Sequence, residues 1–376
     1  STHPTDVIKV ATGLYDAVNN DGGLAQVLYL SKTLTIQGGY TFTNWISDPI
    51  AYPTILDAGG LGRVLYVTDD VSPTIEGLTL RGGNAAGLGG GPFSEDAGGG
   101  VYLDGSATTL HNNVITGNVA DVGGGLYLYQ SRATLTNNTI ISNSANGGGG
   151  LYSEATTATL SRNLVLFNTA VEYCGGLHLK DSNTILRRNV IFGNIAGSGG
   201  GIQTWKSSLN AENNLIAENN LIAENMSNSA QIGEFKDSPG IMIWKGNFVS
   251  IHNTIARNRN KDGGGRGLLV NKANASLTNT IMVSQAIGLD ITENSTVKLE
   301  ATLWGTATWD NTIDWLVDRS STIYTGTIYI WGDPDFVDPE PGSLALPGGN
   351  YHIGPHSAAL DEIGRASCRE RVCVGV

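Results

Sequence analysis

Short alternating runs of apolar and polar residues follow one another along most of this chain, with glycine or asparagine between them. In the centre they fall into a period. GGGVYLDG begins at Gly98, GGGLYLYQ at Gly123, GGGLYSEA at Gly148, CGGLHLKD at Cys174 and GGGIQTWK at Gly199. The apolar residue after the glycines, Val101, Leu126, Leu151, Leu177 and Ile202, recurs at spacings of 25, 25, 26 and 25. Alternation with period two marks strands, and the i, i+3, i+4 spacing of helical repeats is missing. A repeat of this length holding about three strands is expected for one coil of a parallel β-helix, where each coil buries its apolar face against the next. The predicted fold class is all-β, a right-handed parallel β-helix; the hand follows from the strong preference of parallel crossovers.

The polar positions keep the same period. Asparagine stands twelve residues after each marker, at Asn113, Asn138, Asn163, Asn189 and Asn214, and again five residues later, at Asn118, Asn143, Asn168, Asn194 and Asn219. Stacked at the inter-strand spacing of about 4.8 Å, such columns bond amide to amide and hold turns. The hexapeptide NLIAEN occurs twice in tandem, at Asn214 and at Asn220. Counting from Ile202 puts the first copy in register and makes the second the start of an insertion of about 14 residues, over 220–240, before Ile241 restores the pattern with Asn253 and Asn258. That insertion carries Glu224, Glu234, Lys236 and Asp237, and it reads either as a functional loop or as a tandem slip absorbed at the surface.

Outside the centre the runs are less regular. DVIKVA at Asp6, QVLYL at Gln26, KTLTIQGGY at Lys32, PTILDAGG at Pro53, GRVLYV at Gly62 and SPTIEGLTLRGGNA at Ser72 each read as strand then turn, broken by a loop from Thr41 to Pro53. In this order the segments resemble the right-handed β-helix repeat proteins of the pectin-lyase-like superfamily, in particular secreted multi-coil proteins of environmental bacteria. The resemblance covers nearly all of residues 6–362. It implies an extracellular or cell-surface setting, and it spans polysaccharide lyases, glycoside hydrolases, adhesins and proteins without known activity, so the scaffold alone does not choose among them. Trp304, Trp309, Trp315 and Trp331, with Tyr324 and Tyr329, mark an aromatic-rich stretch read as an end cap over exposed strand edges or as a binding cluster. One domain is expected over 1–362: first coils 1–97, regular coils 98–300, and closing coils or cap 301–362.

Composition narrows the partners. The net charge is −12 without a basic run in the sequence, which excludes a nucleic-acid footprint and repels anionic polymers on average, although a local basic patch would reverse this. No apolar run is long enough for a membrane helix, so no membrane insertion is expected. The chain opens on polar sequence without Met and reads as a mature or trimmed chain. Its last stretch, from Ile363, reads as the translation of ATC GGA AGA GCG TCG TGT AGG GAA AGA GTG, which resembles a short-read sequencing adapter. Residues 363–376 are therefore expected to be non-native, which leaves Cys174 as the one native cysteine and no intrachain disulfide.

Side chains alternate across a strand, so the residues between the inward markers face outward and stack from coil to coil. One such column reads Tyr102, Tyr127, Tyr152, His178, Gln203, Met242; its neighbour reads Asp104, Tyr129, Glu154, Lys180, Trp205, Trp244. Aromatic faces stack on sugar rings while carboxylates, amides and lysine bond hydroxyls. Tyr102, Tyr127, Tyr129, Tyr152, Trp205 and Trp244 are thus candidate ligand-binding residues for a polysaccharide or cell-surface glycan. The alternative for the tyrosines is cross-strand packing, about 0.2–1 kcal/mol per pair.

Glu154, His178 and Lys180 fall on neighbouring coils and are the candidate catalytic set for a polysaccharide lyase or glycoside hydrolase. The Arg-x-Pro-x-x-Arg of pectate lyases is absent, as is the Asn-Thr-Asp, Gly-His-Gly, Arg-Ile-Lys series of polygalacturonases; Asp69 and Asp70 form a pair without its companions. No metal motif and no cofactor motif is present, beyond incidental calcium at acidic turns. Three functions stay open: glycan binding or adhesion, glycan cleavage, and end-to-end self-association into filaments.

Overall fold

The computed structural model describes residues 6–21, 24–206, 214–228, 238–305, 310–326, 329–338, 350–353 and 356–357. They divide into two compact units, Ser1–Thr184 and Ile185–Val376. A full coil of the first unit runs through strands Leu126–Tyr129, Arg132–Thr136, Thr139–Ile141 and Ser144–Gly147. The first two share a sheet on either side of a bend at Gln130, whose φ is 47°, and the others belong to a second and a third sheet. The coil thus has four short strands where about three were expected, the added one being Ser144–Gly147 in the third sheet.

Each strand of this coil pairs in parallel with its counterpart one repeat later: Leu126 with Leu151, Thr134 with Thr159, Ile140 with Val165, Ser144 with Thr169. Strand pairing therefore repeats the sequence period. It also stacks like on like inside the coil, where Leu110, Leu135 and Leu160 form one fully buried column and Ile115, Ile140 and Val165 another. Each coil removes its neighbour's apolar face from water, and no single coil has a core of its own.

The glycine triplet closes the coil. Gly123 takes a left-handed φ of 64°, and a Cβ on Gly124 would run into the carbonyl oxygen of Ser144. Only glycine lets the chain pass that close to the backbone below. Gly124→Ala is expected to lower stability by about 1–3 kcal/mol through this overlap, measured as a fall in denaturant midpoint; an unchanged midpoint would show that the backbones part without cost.

The asparagines behave as ladders of buried amides. In the first unit Asn113 Nδ2 donates to Asn138 Oδ1 (3.1 Å), Asn138 Nδ2 to Asn163 Oδ1 (3.0 Å) and Asn143 Nδ2 to Asn168 Oδ1 (3.0 Å). Each also donates to a carbonyl of a preceding strand, as Asn138 does to Leu110 (2.8 Å), so the amide satisfies backbone groups that the turn leaves unpaired.

In the second unit the ladder runs Asn189, Asn220, Asn253 and Asn194, Asn225, Asn258. This corrects the register read from the tandem hexapeptide. It is the second copy of NLIAEN, not the first, that supplies the ladder, because six extra residues lie upstream, between Trp205 and Asn214, and shift Asn220 to 31 residues from Asn189. The first copy opens the strand Asn214–Glu218, with Asn214 paired to Asn247. The other eight extra residues fall between Asn225 and Ile241, so the total of 14 stands while its placement changes. Two identical hexapeptides cannot be told apart by counting from one side. Glu234, Lys236 and Asp237 lie outside the described residues.

Beyond this, Ile241–Ile251 and Arg266–Thr278 are long strands paired residue by residue from Ile241 opposite Leu268 to Ile251 opposite Thr278. In the closing coils Trp304 is fully buried and packs at 5.2 Å from Trp315, while Trp331 is half exposed and its Nε1 donates to Asp314. Trp309 and residues 363–376 lie outside the described residues. No helix among the described residues is long and apolar enough to cross a membrane.

Candidate functional site

The first outward column of the first unit is where the alternation places it, in register from Tyr66 through Tyr102, Tyr127, Tyr152 and His178. It does not face water. Tyr102, Tyr127, Tyr152 and His178 are all buried, at 5, 0, 3 and 4% exposure. Ala97, Val122 and the partly buried Tyr173 pack on the tyrosines, giving a second apolar core outside the coil wall. The expectation of a solvent-facing tyrosine ladder at Tyr102, Tyr127 and Tyr152 is corrected here: alternation sets the direction of a side chain from its strand, and other segments decide whether solvent lies there.

The main cover is the segment from Asn84 to Ala97, and Arg63 fastens it. The Arg63 guanidinium, fully buried, donates from Nε to the Ala97 carbonyl (2.8 Å) and from Nη2 to the Gly89 carbonyl (2.6 Å), while its plane lies 4.8 Å from the Tyr102 ring. Tyr102 itself donates to the Gly90 carbonyl (3.1 Å). Asp96 folds the segment from within by accepting from the backbone N–H of Gly87 and Gly89. A sequence signal for the cover does exist: Leu65 and Val101 are paired neighbours yet stand 36 residues apart, 11 more than one repeat. Burial raises the phenol pKa values of Tyr102, Tyr127, Tyr152 and Tyr173, for Tyr127 with the Glu154 carboxylate adding to it. These phenols stay protonated and act as donors.

The second outward column, Asp104, Tyr129, Glu154 and Lys180, is half buried and reaches solvent. Glu154 and Lys180 meet as an ion pair, Nζ to Oε1 2.6 Å, and Tyr127 donates to the other carboxylate oxygen at 2.9 Å. Lys180 also sits 5.9 Å from the ring of Phe93, which is 96% exposed on the covering segment. His178 packs at a tilt against the rings of Tyr152 (4.5 Å) and Tyr173 (5.0 Å). The three candidate catalytic residues are thus brought onto adjoining positions, but with both oxygens of Glu154 engaged and His178 under cover. Glu95, which the sequence did not single out, joins this edge; burial and the nearby acids Asp121 and Glu172 raise its pKa.

In the second unit the equivalent positions hold Trp205 and Trp244, paired in register with rings parallel at 5.0 Å. Trp244 is buried with Met242 and Leu269, and Trp205 is left half buried as the outer ring. A cavity of about 230 Å³ in the first unit lies against Asp96, Asp121, Asn146 and Val171, away from these columns. Its carboxylates are engaged, Asp121 accepting from the Asp96 backbone N–H and from Asn146 Nδ2. Among the described residues no three His, Cys, Asp or Glu side chains converge as a metal set.

The parallel coils, the repeat and the ladders have a counterpart among known families, for residues 63–253 match the model described as "Right handed beta helix region". The chain belongs to the right-handed β-helix family. No curated protein matches it by sequence. Among solved structures, this β-helix is similar to a point variant of the periplasmic alginate epimerase AlgG, at 12% identity over 80% of this chain and 78% of that one with a TM-score of 0.44. It is also similar to the DFA-IIIase from Arthrobacter chlorophenolicus A6 in complex with GF2, at 14% identity, 81% and 86% coverage and a TM-score of 0.38. At such identities the likeness is one of fold.

Proposed function

We propose that this β-helix is an extracellular or cell-surface module that binds polysaccharide at half-exposed aromatic residues of its second outward column, Tyr129 in the first unit and, separately, Trp205 in the second. One observation carries the reading: while the first column is sealed, the second keeps the rings of Tyr129 and Trp205 half exposed, with the hydrogen-bonding side chains of Glu154 and Lys180 beside Tyr129. An aromatic platform with a polar rim is what a sugar ring needs, an apolar face to lie on and partners for its hydroxyls. Binding is favoured over cleavage because Glu154 is held between Lys180 and the Tyr127 hydroxyl, which leaves it paired rather than poised to take a proton.

Affinity electrophoresis against a panel of neutral and acidic polysaccharides tests this. Tyr129→Ala or Trp205→Ala should weaken retardation by roughly tenfold in apparent Kd, the order of one lost aromatic contact of about 1–2 kcal/mol, with a cooperative thermal transition retained. Retention by both variants equal to that of the parent would sink the reading. Release of reducing ends or unsaturated products by the parent chain would instead establish the enzyme.

A further inference from the structure

Phe93, on the segment that covers the tyrosines, is held in an unfavourable state twice over. Its backbone is left-handed, with φ 55° and ψ 28° in the short turn Pro92–Ser94, and Ser94 beside it has a φ of 69°. A bulky residue loses stability in that region. Its ring, 96% exposed, gains next to nothing from burial. The turn is nonetheless well held: Gly91 N–H donates to the Glu95 carbonyl, Glu95 N–H to that of Pro92, and the Gly90 carbonyl accepts from the Tyr102 hydroxyl. An ordered backbone thus presents the ring to solvent, and backbone strain kept at an exposed position points to function rather than packing.

Its position is the edge of the second column. The ring lies 5.9 Å from Lys180 Nζ, Lys180 is paired to Glu154, and Glu154 is the strand neighbour of Tyr129. Tyr129, Glu154, Lys180 and Phe93 therefore follow one another as a row, with an aromatic ring at each end and the ion pair inside it. The segment from Asn84 to Ala97 does two things at once. Through Gly89 and Gly90 it is tied over the first column, and through Phe93 it borders the second.

We infer that Phe93 is a ligand-binding residue of the Tyr129 site, taking the face of a second sugar so that a glycan is held at both ends of the Glu154–Lys180 pair. This rests on the glycan reading above and adds to it a residue that belongs to no coil. Tyr129 and Lys180 are two strand spacings apart, about 10 Å, so the two rings serve successive sugars of a chain rather than one sugar. Each ring offers an apolar face, and the ion pair between them offers partners for hydroxyls.

Phe93→Gly separates this role from a structural one, because glycine adopts the same φ without strain. The full chain is run by affinity electrophoresis in gels holding hydroxyethyl cellulose, dextran, inulin or polygalacturonate, with urea midpoints measured in parallel. In a gel that retards the parent, Phe93→Gly should bind roughly tenfold more weakly while its urea midpoint equals or exceeds the parent's, and Phe93→Trp should keep the parent's affinity. The buried tyrosines of folded Phe93→Gly should show no phenolate absorbance near pH 10, which establishes that the cover is still in place. Parent affinity in Phe93→Gly, with Tyr129→Ala weakened, overturns the inference and leaves the glycan reading standing. Retardation of the parent in none of the four gels removes both. A lowered midpoint with phenolate appearing near pH 10 makes the ring a fastening of the cover and overturns the inference. Unchanged affinity with loss of a self-associated species in light scattering assigns the ring to a contact between copies and overturns it as well.

Discussion

Replacing Arg63 by methionine should cost this β-helix about 3–5 kcal/mol and loosen the segment from Asn84 to Ala97. The side chain is fully buried and holds the carbonyls of Ala97 and Gly89, with that of Leu88 at 3.4 Å. Methionine keeps much of the stem but offers no donor, so two short charge-assisted bonds are lost, each worth about 1.5–3 kcal/mol; the Ala97 carbonyl loses this partner, while that of Gly89 keeps the Ala97 N–H. Burial already lowers the pKa of this guanidinium, and the Tyr102 and Tyr66 rings with nearby Asp96 are what favour its charged form. Arg63 thus fastens two carbonyls of the cover from one side chain, while Tyr102 holds Gly90 and Asp121 holds Asp96.

The tyrosines beneath report on it. Their folded pKa values are raised, so the contribution of Tyr102, Tyr127, Tyr152 and Tyr173 to stability is fully present below the unfolded phenol value of about 10 and is lost as pH rises beyond it. In the parent chain their phenolate absorbance should appear only with alkaline unfolding. In Arg63→Met part of it should appear near pH 10 in the folded protein. Urea midpoints and absorbance at alkaline pH measure the two effects. A variant with the parent's midpoint and the parent's titration would show that Arg63 does not fasten the segment.

Asn138→Ala should be of similar size, about 3–5 kcal/mol, and for a different reason. The Asn138 side chain accepts from the backbone N–H and from Nδ2 of Asn113, and donates to the Leu110 carbonyl and to Asn163 Oδ1. Alanine leaves the Leu110 carbonyl and the Asn113 N–H buried without this partner, at about 1–3 kcal/mol each, and breaks the ladder between two coils. Asn138→Asp should be no better at neutral pH, because a carboxylate cannot donate to Leu110 and would be buried charged.

The preceding residue provides the comparison. Asn137 has a φ of 56° and serves the turn by its backbone, so Asn137→Gly should change stability by less than about 1 kcal/mol. If chemical denaturation shows Asn138→Ala to be as mild as Asn137→Gly, the asparagines are turn formers only and the ladder adds little.

Much of the fold is legible in the sequence because a β-helix writes its pairing as a period. The spacing from Val101 to Leu126 to Leu151 is the strand register itself, and the buried amides recur with it because every coil must satisfy the same turn. The column memberships are legible for the same reason, and so is the meeting of Glu154 with Lys180 on neighbouring strands. A strict repeat makes long-range contacts into local arithmetic.

What arithmetic on one strand could not supply is whatever the repeat does not contain. The six residues ahead of Asn214 shifted the ladder to the second NLIAEN copy, since a count holds only as far as the nearest unseen insertion. The tyrosines of the first column were sealed by a segment that belongs to no coil, pinned by an arginine whose partners are carbonyls and therefore invisible as residue types. Sequence by itself determined the repeat, the parallel coil and which side chains leave the wall. The tertiary structure decided which of them reach water, because burial is a property of what packs on a surface and not of the strand that presents it.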